Sequence, residues 1–142
     1  MDWSEVGLRG KLGAMRRTLR ALYWLLGFLP LSAIGCTHYV GRGSDLYYQG
    51  RYIEAAHVLE KSEPRLADAS ALERATYGLY RGATLLRLGD LDGARRWLEY
   101  SQHWATVNPG SLKPDEQELL SETLIALRAD LDRRAAAGGY GP

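Results

Sequence analysis

Few side chains in this 142-residue chain are able to do covalent or metal chemistry. Cys36 is the only cysteine, so its thiol has no partner for an internal disulfide. It is either an inert buried thiol or a nucleophile open to modification. His38, His57 and His103 are the only histidines. None is spaced with Cys, Asp or Glu as zinc ligands are, and His57 reads as a partly exposed helix residue. Asp90 and Asp92 are paired carboxylates, but they sit in a turn where a carboxylate caps the next helix. There is no Gly-x-Ser-x-Gly elbow and no glycine-rich phosphate loop. No nucleophile, base and oxyanion set can be assembled, so no catalytic, metal or cofactor site and no small-molecule substrate is expected. The chain is expected not to be an enzyme.

What surrounds Cys36 is more informative. Arg16, Arg17 and Arg20 precede an uncharged apolar run from Ala21 to Leu31, and Ser32-Ala33-Ile34-Gly35 then leads into the cysteine. A basic start, an apolar core and a small-residue end are the order of a secretory signal peptide. The run from Ala21 to Gly35 is shorter than the ~20 apolar residues of a spanning helix, and Gly27 and Pro30 interrupt it. Asp2 and Glu5 are foreign to such a start, which Met15 supplies better. The expected division is a signal peptide over 1–35, with Met15 a candidate true start. A folded domain over 36–134 and a flexible tail over 135–142 follow.

Ser32-Ala33-Ile34-Gly35-Cys36 resembles the lipobox of bacterial lipoproteins, although Ala33 stands where leucine is usual. The resemblance implies cleavage between Gly35 and Cys36 and lipidation of the Cys36 thiol. It also implies a membrane-anchored protein of the cell envelope. Thr37 is not the aspartate that holds many such proteins at the inner membrane, so the periplasmic face of the outer membrane is favoured. The competing expectation is a leader that stays attached as a signal anchor, making the chain a structural subunit of a membrane complex.

Hydrophobic residues are 46% of the whole chain and charged ones 25%, the balance of a globular domain. Net charge is +1, which gives no electrostatic case for nucleic acid. A pattern repeats at an offset of 39 residues. Gly43, Leu46, Gly50, Tyr52, Ala55, Leu59, Glu60 and Ser62 recur as Gly82, Leu85, Gly89, Leu91, Ala94, Leu98, Glu99 and Ser101. Only Tyr52 and Leu91 differ in type. Such recurrence marks a repeat architecture. Gly50 and Gly89 read as left-handed helix ends. Ala55 and Ala94 are small enough for close helix approach, and Leu59 and Leu98 follow one turn later.

This spacing resembles the tetratricopeptide repeat (TPR) over roughly residues 39–108. The period is longer than the family's, with the surplus near Ser62–Ala67, and Ser62 and Ser101 replace the usual alanine. The resemblance implies a right-handed all-α array of two hairpins. Its first helices would line a concave groove for a protein partner. Tyr47 and Tyr48 on the first helix, and Tyr80, Ala83 and Arg87 on the third, are the candidate groove residues. Filling the core is the ordinary role of such rings.

The helices needed to position these residues are read as follows. The first covers 44–49, with an earlier start at Tyr39 open, and the second 52–62. Ser70 and Glu73 form a capping box before a third helix, with Leu72, Ala75, Leu79, Ala83 and Leu86 as its apolar stripe. The fourth spans 91–107 and ends at Asn108-Pro109-Gly110. Pro114 opens a fifth, on which Leu120, Leu124, Leu127 and Leu131 form one stripe, so that it caps the last hairpin.

Overall fold

A computed structural model describes residues His38–Gly138; residues 1–37, with the expected signal peptide, Gly35 and Cys36, and residues 139–142 lie outside the described residues. Within them the chain is all-α, without strands. Five α-helices follow in order: α1 (His38–Tyr48), α2 (Tyr52–Ser62), α3 (Ala71–Arg87), α4 (Leu91–Val107) and α5 (Pro114–Gly138). A short 3-10 helix, Glu63–Asp68, joins α2 to α3. It overlaps the Ser62–Ala67 region where the sequence reading placed the surplus residues of the 39-residue offset.

The helix ends are set by local chemistry. At α3 the Ser70 hydroxyl accepts from the Glu73 backbone N–H at 3.3 Å, and Glu73 Oε2 accepts from the Ser70 N–H at 2.9 Å. Each satisfies a donor that the first turn leaves free. Asp90 caps α4 by accepting from the Gly93 N–H at 2.9 Å. Gly50 and Gly89 close α1 and α3 with φ of +72° and +83°, a region that side chains with a Cβ avoid.

The two copies of the repeat do the same packing work. A Cβ on Gly43 would lie 2.5 Å from Leu59 Cδ2, and one on Gly82 would lie 2.6 Å from Leu98 Cγ. In each copy, then, a leucine of the second helix lies directly on a glycine of the first. Ala55, Leu59, Ala94 and Leu98 are all completely buried. The serines diverge. Ser101 Oγ donates across to the Ala75 carbonyl at 2.7 Å, whereas Ser62 Oγ donates back to Val58 in its own helix. Thirty-nine residues before Ala75 stands Cys36, outside the described residues.

Around this repeat lie two apolar clusters. One centres on Tyr39, Tyr77, Tyr80 and Trp97, the other on Leu79, Leu98, Leu112, Leu120 and Leu127. Tyr77 is fully buried, and its hydroxyl donates to the Leu59 carbonyl at 2.7 Å, tying α3 to α2. Arg81 is also buried and donates to the Ala56 carbonyl at 2.6 Å.

Some boundaries differ from the sequence reading. α1 begins at His38, ahead of Ser44 and Tyr39, because Tyr39 and Val40 find core contacts that a reading of local pattern does not count. α5 continues through Ala135-Ala-Ala to Gly138, into the segment expected to be a flexible tail. Alanine is the strongest helix former. Arg133 pairs with Asp130, and Arg134 reaches Asp92 at 3.7 Å. Leu72 is half exposed rather than part of the α3 stripe. On α5, Leu120 and Leu127 are buried while Leu124 and Leu131 are only partly covered, and Ile125 beside them is exposed.

Candidate functional site

The first helices of the two hairpins and α5 share one face of the domain. On α3 this face carries Thr76, Tyr80, Ala83 and Arg87, whose spacing of four, three and four keeps them aligned along a helix. Toward the C-terminal ends of α1 and α3 lies a trough of about 460 Å³. Tyr47, Ala83, Leu86 and Arg87 form one wall, and Leu119, Glu122, Thr123, Ala126 and Asp130 of α5 form the other. A second hollow of about 210 Å³ lies at the N-terminal ends, between Val40, Ser44, Leu72, Thr76 and Glu116. The Thr76 hydroxyl there is buried and has no hydrogen-bond partner.

The candidate groove residues separate into two groups. Tyr47, Ala83 and Arg87 line the trough. Tyr47 and Ala83 are themselves buried, so they form its floor, while Arg87 is exposed at its edge. Hydrogen bonding to the Tyr47 hydroxyl raises the Arg87 guanidinium above its ordinary range, so the edge carries a fixed positive charge. Glu122 and Asp130 on α5 give the same trough negative groups. Tyr80 is only 4% exposed and belongs to the core, while Tyr48 is 63% exposed and lies beside the trough. Their hydroxyls meet at 3.2 Å, and both rings pack edge-on against Tyr47. Burial, then the hydrogen bond to Tyr48, pushes the Tyr80 hydroxyl well above its usual range. These rings hold α1 against α3 in neutral form and set the width of the floor.

The α5 wall was not anticipated. Leu119, Glu122, Thr123, Ala126 and Asp130 recur at helical spacing beside the leucine stripe, and that second stripe was the available signal. Gly78 was also missed. A Cβ there would lie 2.9 Å from both the Ser101 N and the Trp97 O, backbone atoms of α4.

His57 and His103 are exposed. Among the described residues no group of His, Cys, Asp or Glu is arranged to hold a metal ion. No helix among them is long and apolar enough to cross a membrane. The chain matches no protein-family model, no curated protein and no solved structure.

Proposed function

We propose that the protein is a lipid-anchored, TPR-like scaffold of the bacterial cell envelope, with Cys36 as its lipidated residue. Its partner is a protein segment held in the trough between α1, α3 and α5, and its role is assembly or stability of a larger envelope complex. The observation that carries the reading is the trough itself. Two helices in equivalent repeat positions and a third helix beside them leave an open channel with an apolar floor and charged edges. Apolar concavities with a few placed polar groups are where binding concentrates. The basic, apolar and small leader before Cys36 supports the anchor, and the Gly43–Leu59 and Gly82–Leu98 contacts support the TPR likeness.

Crosslinking in native membranes followed by capture tests the scaffold. Ala126→Arg places a bulky cation at an exposed trough position, and Arg87→Glu reverses the charge opposite. The double variant is expected to lose a partner set that the unaltered chain captures, with unchanged helicity. An identical partner set removes the trough from the function. Intact mass of the native protein tests the anchor: residues 36–142 plus acyl chains is expected, whereas an unprocessed leader supports the signal-anchored subunit.

A further inference from the structure

Away from the trough, aromatic and cationic side chains gather on another surface. Edge-on ring contacts run from Tyr39 to Tyr77, Trp97, Tyr100 and Trp104, with centroid steps of 6.3, 5.2, 5.4 and 6.2 Å. The ladder starts in the core and ends at the surface, where Tyr100 and Trp104 are partly exposed and His103 is exposed. Guanidinium groups sit against it: Arg65 over Tyr39 at 5.5 Å, Arg74 over Trp104 at 4.6 Å and Arg96 over Trp97 at 6.0 Å. Between the 3-10 helix and α4 the surface opens into a shallow hollow of about 590 Å³ edged by Leu66, Tyr100, His103 and a single carboxylate, Glu63. Exposed Val107 follows on the same α4 stripe as Tyr100 and His103.

We infer that this face lies on the membrane surface, the partly exposed Tyr100 and Trp104 at headgroup depth and the exposed Arg65 and Arg96 against anionic lipid headgroups. The inference rests on the lipid anchor proposed above. Two features point to a bilayer rather than to a protein. The first is reach. Cys36 is three residues from Tyr39, and an extended chain covers at most about 3.5 Å per residue. An acyl-anchored Cys36 therefore holds Tyr39, the inner end of the ladder, within roughly 10 Å of the membrane. The second is composition. Tryptophan and tyrosine favour the headgroup zone, where the ring is apolar and its polar edge stays wet. Arginine bridges the same zone by laying its stem along apolar surface and its charge on phosphate. Glu63 is the lone acid edging the hollow, set against Arg96 at the same edge and the exposed Arg65 over Tyr39. The trough shares no residue with this face, so docking leaves it open to a partner.

The test uses the native chain recovered from membranes, residues 36–142 with acylated Cys36, in vesicles of phosphatidylethanolamine and phosphatidylglycerol whose acyl chains are brominated near the headgroup. Bromine quenches tryptophan only on close approach. Residues 36–142 hold two tryptophans, Trp97 and Trp104, so a Trp104→Phe change isolates the Trp104 signal by difference. Trp104 emission is expected to fall in brominated vesicles relative to unbrominated ones. Arg65→Glu with Arg96→Glu, both exposed positions, is expected to restore it with helicity unchanged. Equal Trp104 emission in both vesicles, on a chain whose mass shows acylated Cys36, overturns the docked face and leaves the anchor standing. That result directs the face to a protein partner. A mass without acyl chains overturns the anchor, and with it the reach on which the docked face depends.

Discussion

Two glycine-to-alanine changes in helices should move stability in opposite directions. In a helix interior, alanine is favoured over glycine by about 1 kcal/mol because it loses less backbone entropy. Gly41, on α1, has nothing within 4 Å of where a Cβ would stand. Gly41→Ala should therefore stabilise the domain by up to about 1 kcal/mol. Gly78, on α3, meets the Ser101 N at 2.9 Å, the Trp97 O at 2.9 Å and the Ser101 Cβ at 3.0 Å. The first two are backbone atoms of α4 and cannot rotate away. The helices must part by about half an ångström to restore ordinary contact, which also stretches the 2.7 Å bond from Ser101 to the Ala75 carbonyl. Overpacking of this kind costs about 1–3 kcal/mol. Set against the propensity gain of about 1 kcal/mol, Gly78→Ala should lose roughly 1 kcal/mol net, or a melting temperature lower by roughly 5 °C. Urea denaturation followed by far-ultraviolet circular dichroism measures both variants against the unaltered chain. If Gly78→Ala is as stable as the parent, α3 and α4 do not cross at Gly78 and the helix arrangement given above is wrong.

The neighbouring contacts give further expectations. Leu98→Ala empties a fully buried site facing Gly82 and should cost about 2–5 kcal/mol; urea midpoints check it. Asp90→Ala removes the α4 cap and should cost about 1 kcal/mol, with Asp90→Asn restoring most of it in the same assay. Burial raises the Tyr77 and Tyr80 hydroxyls above their ordinary range, so the folded state keeps both protons when the unfolded chain releases them. Their contribution is therefore full below about pH 10 and declines as pH rises past it. Melting temperature measured from pH 8 to pH 11 should fall above pH 10, and Tyr77→Phe should make that fall shallower.

Much of the fold was legible because it is local. The offset of 39 residues, the Ser70–Glu73 capping box, the turn glycines Gly50 and Gly89 and the opening of α5 at Pro114 each depend on a few neighbouring residues. Backbone capping and left-handed turns have strong residue preferences, so those signals survive in a single sequence. Tyr80 shows where this fails. Helical spacing placed it on the same face as Ala83 and Arg87, and it does lie there, but spacing cannot say how far α1 stands from α3. Tyr47 and Tyr48 close that distance and bury the ring. Leu72 failed in the opposite sense, since it follows the α3 period but lies half exposed.

By itself, then, the sequence determined that helices form, where most of them begin and end, and that a glycine and a leucine recur at matching places in two hairpins. It also determined that the only thiol follows a basic and apolar leader. Only the tertiary structure decided that α5 supplies the second wall of the trough and that Gly78 lies against the α4 backbone. It alone also drew Tyr39, Trp97, Tyr100 and Trp104 into one ladder ending on a cationic surface. Helix starts and turns are set within a few residues by backbone hydrogen bonding. Walls, crossings and surfaces depend on distances between segments far apart in the chain, and no local preference encodes those.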